Sequence, residues 1–299
     1  MPSKRILIGI LFCVWMFFST NIIISIYNRH IEIQDVDDFV MTGQLSIYYW
    51  IDEISVSDNL FNTFSVYGWL FGLPEVQSED KKVSLLLKSD NATYEIESQI
   101  FKDEHAIGEL KNKGLEIENP NIRFGLTFSP LNFEDGIYQM CLSCKNTDEN
   151  SGIVETGYFF EKGNGIFQKY EKISEPIAVP DCSEENRHVG YGWVDSLTVS
   201  NDRLYIRGWG YLDGIDSTYQ HAIIKIASSD GTVQYFKAYP NTRTDLIGFQ
   251  NNLENQNSGI SATIDITTDD LKKENIEVYI FNENKWFSFQ PEKDIQYSE

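Results

Sequence analysis

The sequence has few of the residues from which metal, redox and nucleophilic sites are built. It contains 4 histidines and 4 cysteines in 299 residues, and the histidines are widely separated. Because a zinc site needs three or four ligands, we expect no bound metal. The motifs of metalloproteases, phosphate-binding loops, EF-hands and serine-hydrolase elbows are also missing. The sequence therefore predicts no metal and no cofactor, and it identifies no catalytic residue.

Basic residues are scarce as well. Lysine and arginine total 24 against 45 acidic residues, which gives a net charge of −21. Because an acidic surface repels a phosphate backbone, we expect no nucleic-acid partner. Hydrophobic residues nevertheless make up 41% of the chain, enough for a folded core.

One long uncharged stretch lies near the N-terminus. Residues Ile6–Tyr27 carry no charge, and a helix of these 22 residues would be about 33 Å long, enough to cross the hydrocarbon core of a bilayer. Lys4 and Arg5 precede it, which places residues 1–5 in the cytoplasm and the remainder of the chain outside. We interpret 6–27 as an uncleaved transmembrane signal anchor. A cleaved signal peptide is the alternative, although its apolar region is usually shorter.

The rest of the chain has the pattern of an all-β protein. Short segments rich in β-branched and aromatic residues, such as Val83–Leu87, Leu204–Arg207 and Glu277–Phe281, alternate with turn sequences. Ser89–Asn91 and Asp213–Gly214 are examples of those turns. Strands of this length and spacing indicate a β-sandwich.

Two parts of this region repeat. Trp50–Asp58 (WIDEISVSD) aligns with Trp193–Asn201 (WVDSLTVSN), 143 positions later, and Val66–Trp69 (VYGW) aligns with Ile206–Trp209 (IRGW), 140 positions later. Collinear blocks with nearly constant spacing indicate duplicated units. The predicted fold is an N-terminal transmembrane helix followed by two tandem homologous antiparallel β-sandwich domains. We place an acidic stem at 28–42, the first domain at 43–172, a linker at 173–186, the second domain at 187–291 and a tail at 292–299.

The repeated motif resembles a known kind of module. In the second copy, Gly192–Asp195 (GWVD) is followed by Arg207–Trp209 (RGW). In the first copy, Trp50–Asp52 and Gly68–Trp69 match, with Tyr49 in place of the opening glycine. This pattern resembles the small β-sandwich modules that accompany bacterial cell-surface glycan glycosyltransferases. The resemblance implies a β-sandwich fold and an accessory role in the cell envelope, near glycans, and it implies no catalytic activity.

Aromatic residues are abundant. Phenylalanine, tyrosine and tryptophan make up 14% of the chain. Sugar-binding β-sandwiches use such rings against pyranose faces, with polar neighbours for the hydroxyls. The candidate glycan-binding residues, chosen at and beside the repeated Gly-Trp strand, are Tyr67, Trp69, Arg207, Trp209, Tyr211 and Asp213. The alternative is that each tryptophan anchors a sandwich core while the tyrosines beside it are exposed.

Two further sets of residues could carry chemistry. Asp52 and Asp195 are repeated carboxylates, but a glycosidase needs two carboxylates that face one bond, and a pair related by duplication favours a structural role. Cys141, Cys144 and Cys182 lie in the outward-facing part, where a disulfide can form either locally or to Cys182. Residues three apart in a regular strand point to opposite faces, so a local bond would need a turn.

Together these features predict a single-pass membrane protein whose extracytoplasmic domains bind a partner. The partner is either a cell-surface polysaccharide or an envelope protein, and the chain would recognise the glycan or scaffold its assembly. Two alternatives stay open. One is a partner subunit that positions a membrane enzyme, and the other is an extracytoplasmic glycan-modifying enzyme.

Overall fold

A computed structural model of the chain describes residues 4–29, 31–34, 46–57, 62–73, 81–112, 119–145, 151–228, 230–246, 253–266 and 271–297. These residues form two α-helices, α1 (Lys4–Tyr27) and α2 (Glu104–Asn112), and otherwise mainly strands. The strands of the first half are β1 (Ile31–Gln34), β2 (Ser46–Val56), β3 (Phe64–Leu73), β4 (Lys82–Lys88), β5 (Thr93–Glu97), β6 (Gln99–Phe101), β7 (Arg123–Phe128), β8 (Gly136–Lys145), β9 (Ser151–Gly163) and β10 (Ile166–Tyr170). Those that follow are β11 (Pro176–Ile177), β12 (Gly190–Ser200), β13 (Arg203–Leu212), β14 (His221–Ala227), β15 (Val233–Asn241), β16 (Gly259–Asp265), β17 (Ile276–Asn282), β18 (Lys285–Phe289) and β19 (Gln296–Tyr297). The prediction of an all-β protein with an N-terminal apolar helix is confirmed.

Among the described residues, α1 is the one helix long and apolar enough to cross a membrane. Its 24 residues extend about 36 Å, and the stretch Ile8–Ile26 has a mean hydropathy of 2.0. Two polar side chains in this stretch bond back to the helix. The Thr20 hydroxyl donates to the Met16 carbonyl and the Asn21 amide to the Phe17 carbonyl, each at 2.8 Å. Both groups are thereby satisfied without water, as a lipid environment requires.

The helix leads directly into the first sandwich. The Asn28 side chain donates to the Ser129 carbonyl at 2.8 Å and accepts from the Ser129 peptide N–H at 3.0 Å. Strand β1 then pairs antiparallel with β5, with Ile31 opposite Ile96. The predicted stem at 28–42 therefore differs from the structure, because 31–34 is an edge strand whose isoleucines alternate with polar residues. The remainder of that stem, 35–42, lies outside the described residues.

The first half is a sandwich of two sheets. One sheet has the strand order β1-β5-β4-β8-β9-β10 and the other has the order β2-β3-β7-β6. Both sheets contribute side chains to one core, in which Phe64 lies at the centre. Its ring centroid is 4.8–5.4 Å from those of Phe128, Phe160 and Phe167. Burying several aromatic rings together provides much of the apolar surface removed from water in this half.

The second half repeats this strand pairing. Its order is β18-β17-β14-β15-β16-β13-β12-β19, and β15 pairs first with β14 and then with β16. In the first half, β5 pairs with β4 and the adjoining β6 pairs with β7. The core of the second half is mainly aliphatic, with Val194 and Ile206 from one layer against Ile224 and Ile280 from the other. From β2 to β9 and from β12 to β18 the two halves therefore have the same antiparallel pairing, each around its own core.

Segments predicted as linker and tail join the second half. Strand β11 pairs with β15, and the peptide N–H of the buried Ser174 donates to the Thr263 carbonyl at 2.6 Å. Strand β19, from the predicted tail at 292–299, pairs in parallel with β12. The linker at 173–186 is thus held along the second half by backbone hydrogen bonds.

Candidate functional site

The repeated motif forms the same β-bulge in both halves. In the first, Ile51 lies opposite Gly68 and Glu53 opposite Tyr67, so Asp52 is the extra residue. In the second, the register shifts between Val194 and Ser196 in the same way, and Asp195 is the extra residue. A bulge of this kind bends the strand and increases its twist.

The glycine of each Gly-Trp pair allows this bulge. A Cβ on Gly68 would lie 2.1 Å from the Trp50 carbonyl oxygen, and a Cβ on Gly208 would lie 2.4 Å from that of Trp193. Both distances are shorter than any side chain tolerates, so the two strands approach this closely only because glycine has no Cβ. The aspartate and glycine of the motif thus have a structural role.

The two bulge carboxylates do not face each other across one site. Asp52 lies 3.5 Å from Arg123, and Asp195 is bound by Arg243. Partial burial raises the pKa of the Asp52 carboxyl, although the Arg123 charge opposes this shift. Because Asp52 and Asp195 lie against different arginines, one in each half, these two carboxylates are not the facing pair that glycoside hydrolysis needs.

The two arginines come from different places in the sequence. Arg123 lies opposite Trp69 in β7, whereas the matching position opposite Trp209 in β16 is Gly259. The side chain of Arg243 fills that space, since its Cγ lies 2.8 Å from where a Cβ of residue 259 would be. Arg123 lies in β7, whereas Arg243 follows β15, so aligning the two halves by sequence does not pair the two arginines.

The candidate tryptophans lie on the sheet faces that point away from the two main cores. Trp69 stacks on Phe71 at 5.7 Å between ring centroids, and Phe71 stacks on Tyr48 at 5.3 Å. Helix α2 covers this ladder with Ile107 and Leu110. Trp69 is partly buried there, so it anchors a small second core on the outer face.

The second half has a matching ladder in which one candidate is hidden. Trp209 stacks on Tyr211 at 5.8 Å, and Tyr211 lies 5.5 Å from the ring of Tyr191. Tyr211 is only 1% exposed, and burial raises the pKa of its hydroxyl. The prediction that tyrosines beside the tryptophans are exposed is wrong for Tyr211, because rings on both sides cover it. It holds for Tyr67, which is 37% exposed.

Asp213 lies at an exposed position, and the three outward-facing cysteines are not bonded to one another. Asp213 is exposed, and its peptide N–H donates to the Val189 carbonyl at 2.9 Å. Cys141, Cys144 and Cys182 are free thiols, so none of the predicted disulfides is formed. Cys144 belongs to the main core of the first half and Cys141 lies on the other face of β8. The regular strand keeps their sulfur atoms apart.

Buried hydrogen bonds hold the two halves together. The Tyr48 hydroxyl donates to the Asp216 carboxylate at 2.9 Å, and the Asn257 amide donates to the Ile47 carbonyl at 2.8 Å. The backbones also touch, because a Cβ on Gly157 would lie 1.9 Å from the Pro240 carbonyl oxygen. Gly157 has φ +75°, a conformation that suits glycine. These contacts make the space between the halves a fixed feature.

A cleft of about 620 Å³ lies in that space. Strands β9 and β10 form one wall, and β13, β15 and β16 form the other. It is lined by four tyrosines and by charged and hydroxyl side chains, which include Tyr158, Tyr170, Tyr205, Tyr239, Lys169, Glu171, Lys172, Arg207, Ser261 and Thr263. Of the six glycan-binding candidates, Arg207 is the one that lines this cleft.

The cleft offers aromatic faces beside hydrogen-bonding groups. The Lys169 ammonium lies 5.3 Å from the centre of the Tyr158 ring. Glu171 lies 3.7 Å from Arg203 and 3.5 Å from the Thr263 hydroxyl, so this carboxylate is already paired. Burial raises the pKa of Tyr158, which keeps its hydroxyl protonated and able to donate. The arrangement suits binding of a polar ligand with apolar faces.

The cleft continues toward the bulge of the first half. A second cavity, of about 260 Å³, shares Tyr158 and Lys169 with it and is also lined by Asp52 and Glu53. The two cavities therefore adjoin at Tyr158 and Lys169. Within the described residues, no group of three histidine, cysteine, aspartate or glutamate side chains could hold a metal ion.

Sequence reasoning missed most of the cleft. Tyr158 and Tyr170 come from the first half and Tyr205 from the second, so no local motif joins them. The signal that could have found Tyr205 is its spacing from Arg207, because residues two apart in a strand share a face.

No protein-family profile matches the chain, and no curated protein matches it. Among solved structures, the crystal structure of S. aureus TarS is similar over 82% of this chain, with 9% sequence identity and a TM-score of 0.24. The chain spans 40% of the length of that structure's chain. A similarity at this TM-score supports no conclusion about fold or function.

Proposed function

We propose that this chain is a single-pass membrane protein whose extracytoplasmic halves bind a cell-surface glycan in the cleft between them. The observation that carries the proposal is the cleft itself, where tyrosine rings stand beside hydroxyl and charged groups. Pyranose rings have apolar faces and polar edges, and such a lining complements both. The two cavities adjoin at Tyr158 and Lys169, an arrangement that suits an extended chain of sugars.

Further features support a binding role in the envelope. The apolar stretch Ile8–Ile26 of α1, with Lys4 and Arg5 at the start of the helix, favours a cytoplasmic N-terminus with both halves outside. The shared strand order and bulge favour duplication of one accessory unit. Lys169, Lys172 and Arg207 line the two cavities together with Glu171, Asp52 and Glu53, so the lining carries both signs of charge and offers polar partners to sugar hydroxyls.

Binding of the full-length protein in detergent to immobilised envelope polysaccharides tests the proposal. We expect Tyr205→Ala and Arg207→Ala each to weaken binding roughly tenfold, which corresponds to about 1.4 kcal/mol. The matched controls are Tyr191→Ala and Arg187→Ala, which change exposed residues outside the cleft lining and should bind as the unaltered protein does. Failure to bind any polysaccharide, or equal binding by all four variants, would contradict the proposal.

A further inference from the structure

A cavity of about 390 Å³ lies where α1 leaves the membrane. The end of the helix and the outer face of the first half line it together, through Ile26, Arg29, Tyr67, Ile96, Glu97, Gln99, Phe101, Gly125, Leu126 and Thr127. It is separate from the interdomain cleft, with which it shares no lining residue. The proposed glycan site therefore leaves it unexplained.

The position of this cavity relative to a bilayer follows from the helix. Ile26 ends the apolar stretch Ile8–Ile26 and also lines the cavity. If that stretch spans the hydrocarbon core, the cavity lies at the membrane surface, within the headgroup layer. The hydrogen bonds between Asn28 and Ser129 and the pairing of β1 with β5 hold the helix end against the sandwich. The cavity is thus kept at this depth.

The lining has the chemistry of a membrane interface. Tyr67 and Phe101 are 37% and 44% exposed, and aromatic rings are enriched where headgroups meet hydrocarbon. The Tyr67 ring lies over Gly125, where a Cβ would be 2.7 Å from it, so glycine provides the space for the ring. The Tyr67 hydroxyl lies 3.5 Å from that of Thr127, and Arg29 adds a guanidinium at the helix end.

We infer that this cavity receives the headgroup of a membrane phospholipid. The Arg29 guanidinium would contact the phosphate, and the Tyr67 and Phe101 rings would lie against the glycerol and the first acyl carbons. A phospholipid is favoured over other ligands because the end of α1 lines the cavity, and the Ile26 side chain of that helix lies in the hydrocarbon. The inference rests on the proposed membrane anchoring, and it adds that the first sandwich lies on the bilayer at a fixed tilt.

Fluorescence quenching in vesicles tests this inference. Full-length Phe101→Trp is reconstituted into phosphatidylcholine and phosphatidylglycerol vesicles with or without a nitroxide on the lipid headgroup. The control is Val233→Trp, an equally exposed position in the second half. That half contacts the first at β9 and β2, whereas residue 101 lies on β6, three strands or about 14 Å from β2 at the far edge of the same sheet. We expect the added emission to be quenched several-fold more at residue 101 than at residue 233.

A further measurement distinguishes failure of the lipid site from failure of the membrane anchor. Comparing the unaltered protein with Trp15→Phe, using a nitroxide deep in the acyl chains, reports whether α1 spans the bilayer. If Trp15 is quenched but the tryptophan added at residue 101 is not, the lipid site is wrong and the anchor stands. If Trp15 is not quenched either, the proposed anchoring fails as well. Circular dichroism shows whether Phe101→Trp folds. If it misfolds, Tyr67→Trp takes its place, and the same outcomes support or contradict the inference.

Discussion

Replacing Gly208 by alanine tests whether the repeated bulge requires a residue without a side chain. The added Cβ would lie 2.4 Å from the Trp193 carbonyl oxygen and 3.1 Å from the Val194 Cα. Cβ atoms essentially never come closer than 3.0 Å to another heavy atom, so β12 and β13 would have to separate by about 0.6 Å. The atoms in the way belong to the backbone, which cannot rotate aside as a flexible side chain can.

The expected cost combines two opposing terms. Overpacking of a rigid site costs about 1–3 kcal/mol, and the contact with backbone places Gly208→Ala toward the upper end. Alanine restricts the unfolded chain and returns about 0.4–1 kcal/mol. The net destabilisation is therefore about 2 kcal/mol, which lowers Tm by roughly 3 °C if the 299 residues unfold as one unit with an unfolding entropy of about 2.1 cal/mol/K per residue.

Thermal unfolding of the full-length protein in detergent, followed by circular dichroism at one scan rate, measures this effect. Gly68→Ala should lower Tm at least as much, because its Cβ would lie 2.1 Å from the Trp50 carbonyl oxygen. Gly163→Ala is the matched control, since no atom lies within 4 Å of its added Cβ, and it should leave Tm unchanged or slightly higher. If Gly208→Ala and Gly163→Ala have the same Tm, the close approach of the two strands at the bulge does not constrain the fold.

Two more predictions concern the interface between the halves and the thiols. Tyr48→Phe removes the part-buried bond to the Asp216 carboxylate and should cost about 1.5–3 kcal/mol. Tyr49→Phe loses a 3.2 Å bond to a carbonyl within the first half and should cost about 1 kcal/mol. Equal Tm values for both variants would argue against the interface bond. Burial raises the pKa of the Cys141 thiol to about 12, so roughly one molecule in ten thousand carries the reactive thiolate at pH 8. Maleimide should therefore modify the part-exposed Cys182 in the folded protein and reach Cys141 only after denaturation, and rapid native labelling of Cys141 would contradict the structure.

The all-β fold class and the apolar helix could be predicted from the sequence because both depend on local patterns of residues. The 22 uncharged residues from Ile6 and the repeated Trp-x-Asp and Gly-Trp motifs are visible without any tertiary information. Domain limits were less predictable. Strand β1 and strand β19 are four and two residues long, and segments this short become strands only when a sheet edge is available to pair with them. The predicted stem and tail were too long for that reason.

The sequence by itself determined the secondary-structure class, the apolar helix and the equivalence of Asp52 with Asp195, because periodicity and repetition are properties of the chain. Only the tertiary structure decided which aromatic residues are accessible. Tyr211 is buried because Tyr191 of the neighbouring strand β12 and Trp209, two residues earlier in β13, both lie against it. The interdomain cleft likewise exists only once the two halves are joined, since its walls come from strands far apart in the sequence. In both cases the exposure of a side chain depends on what the fold packs against it.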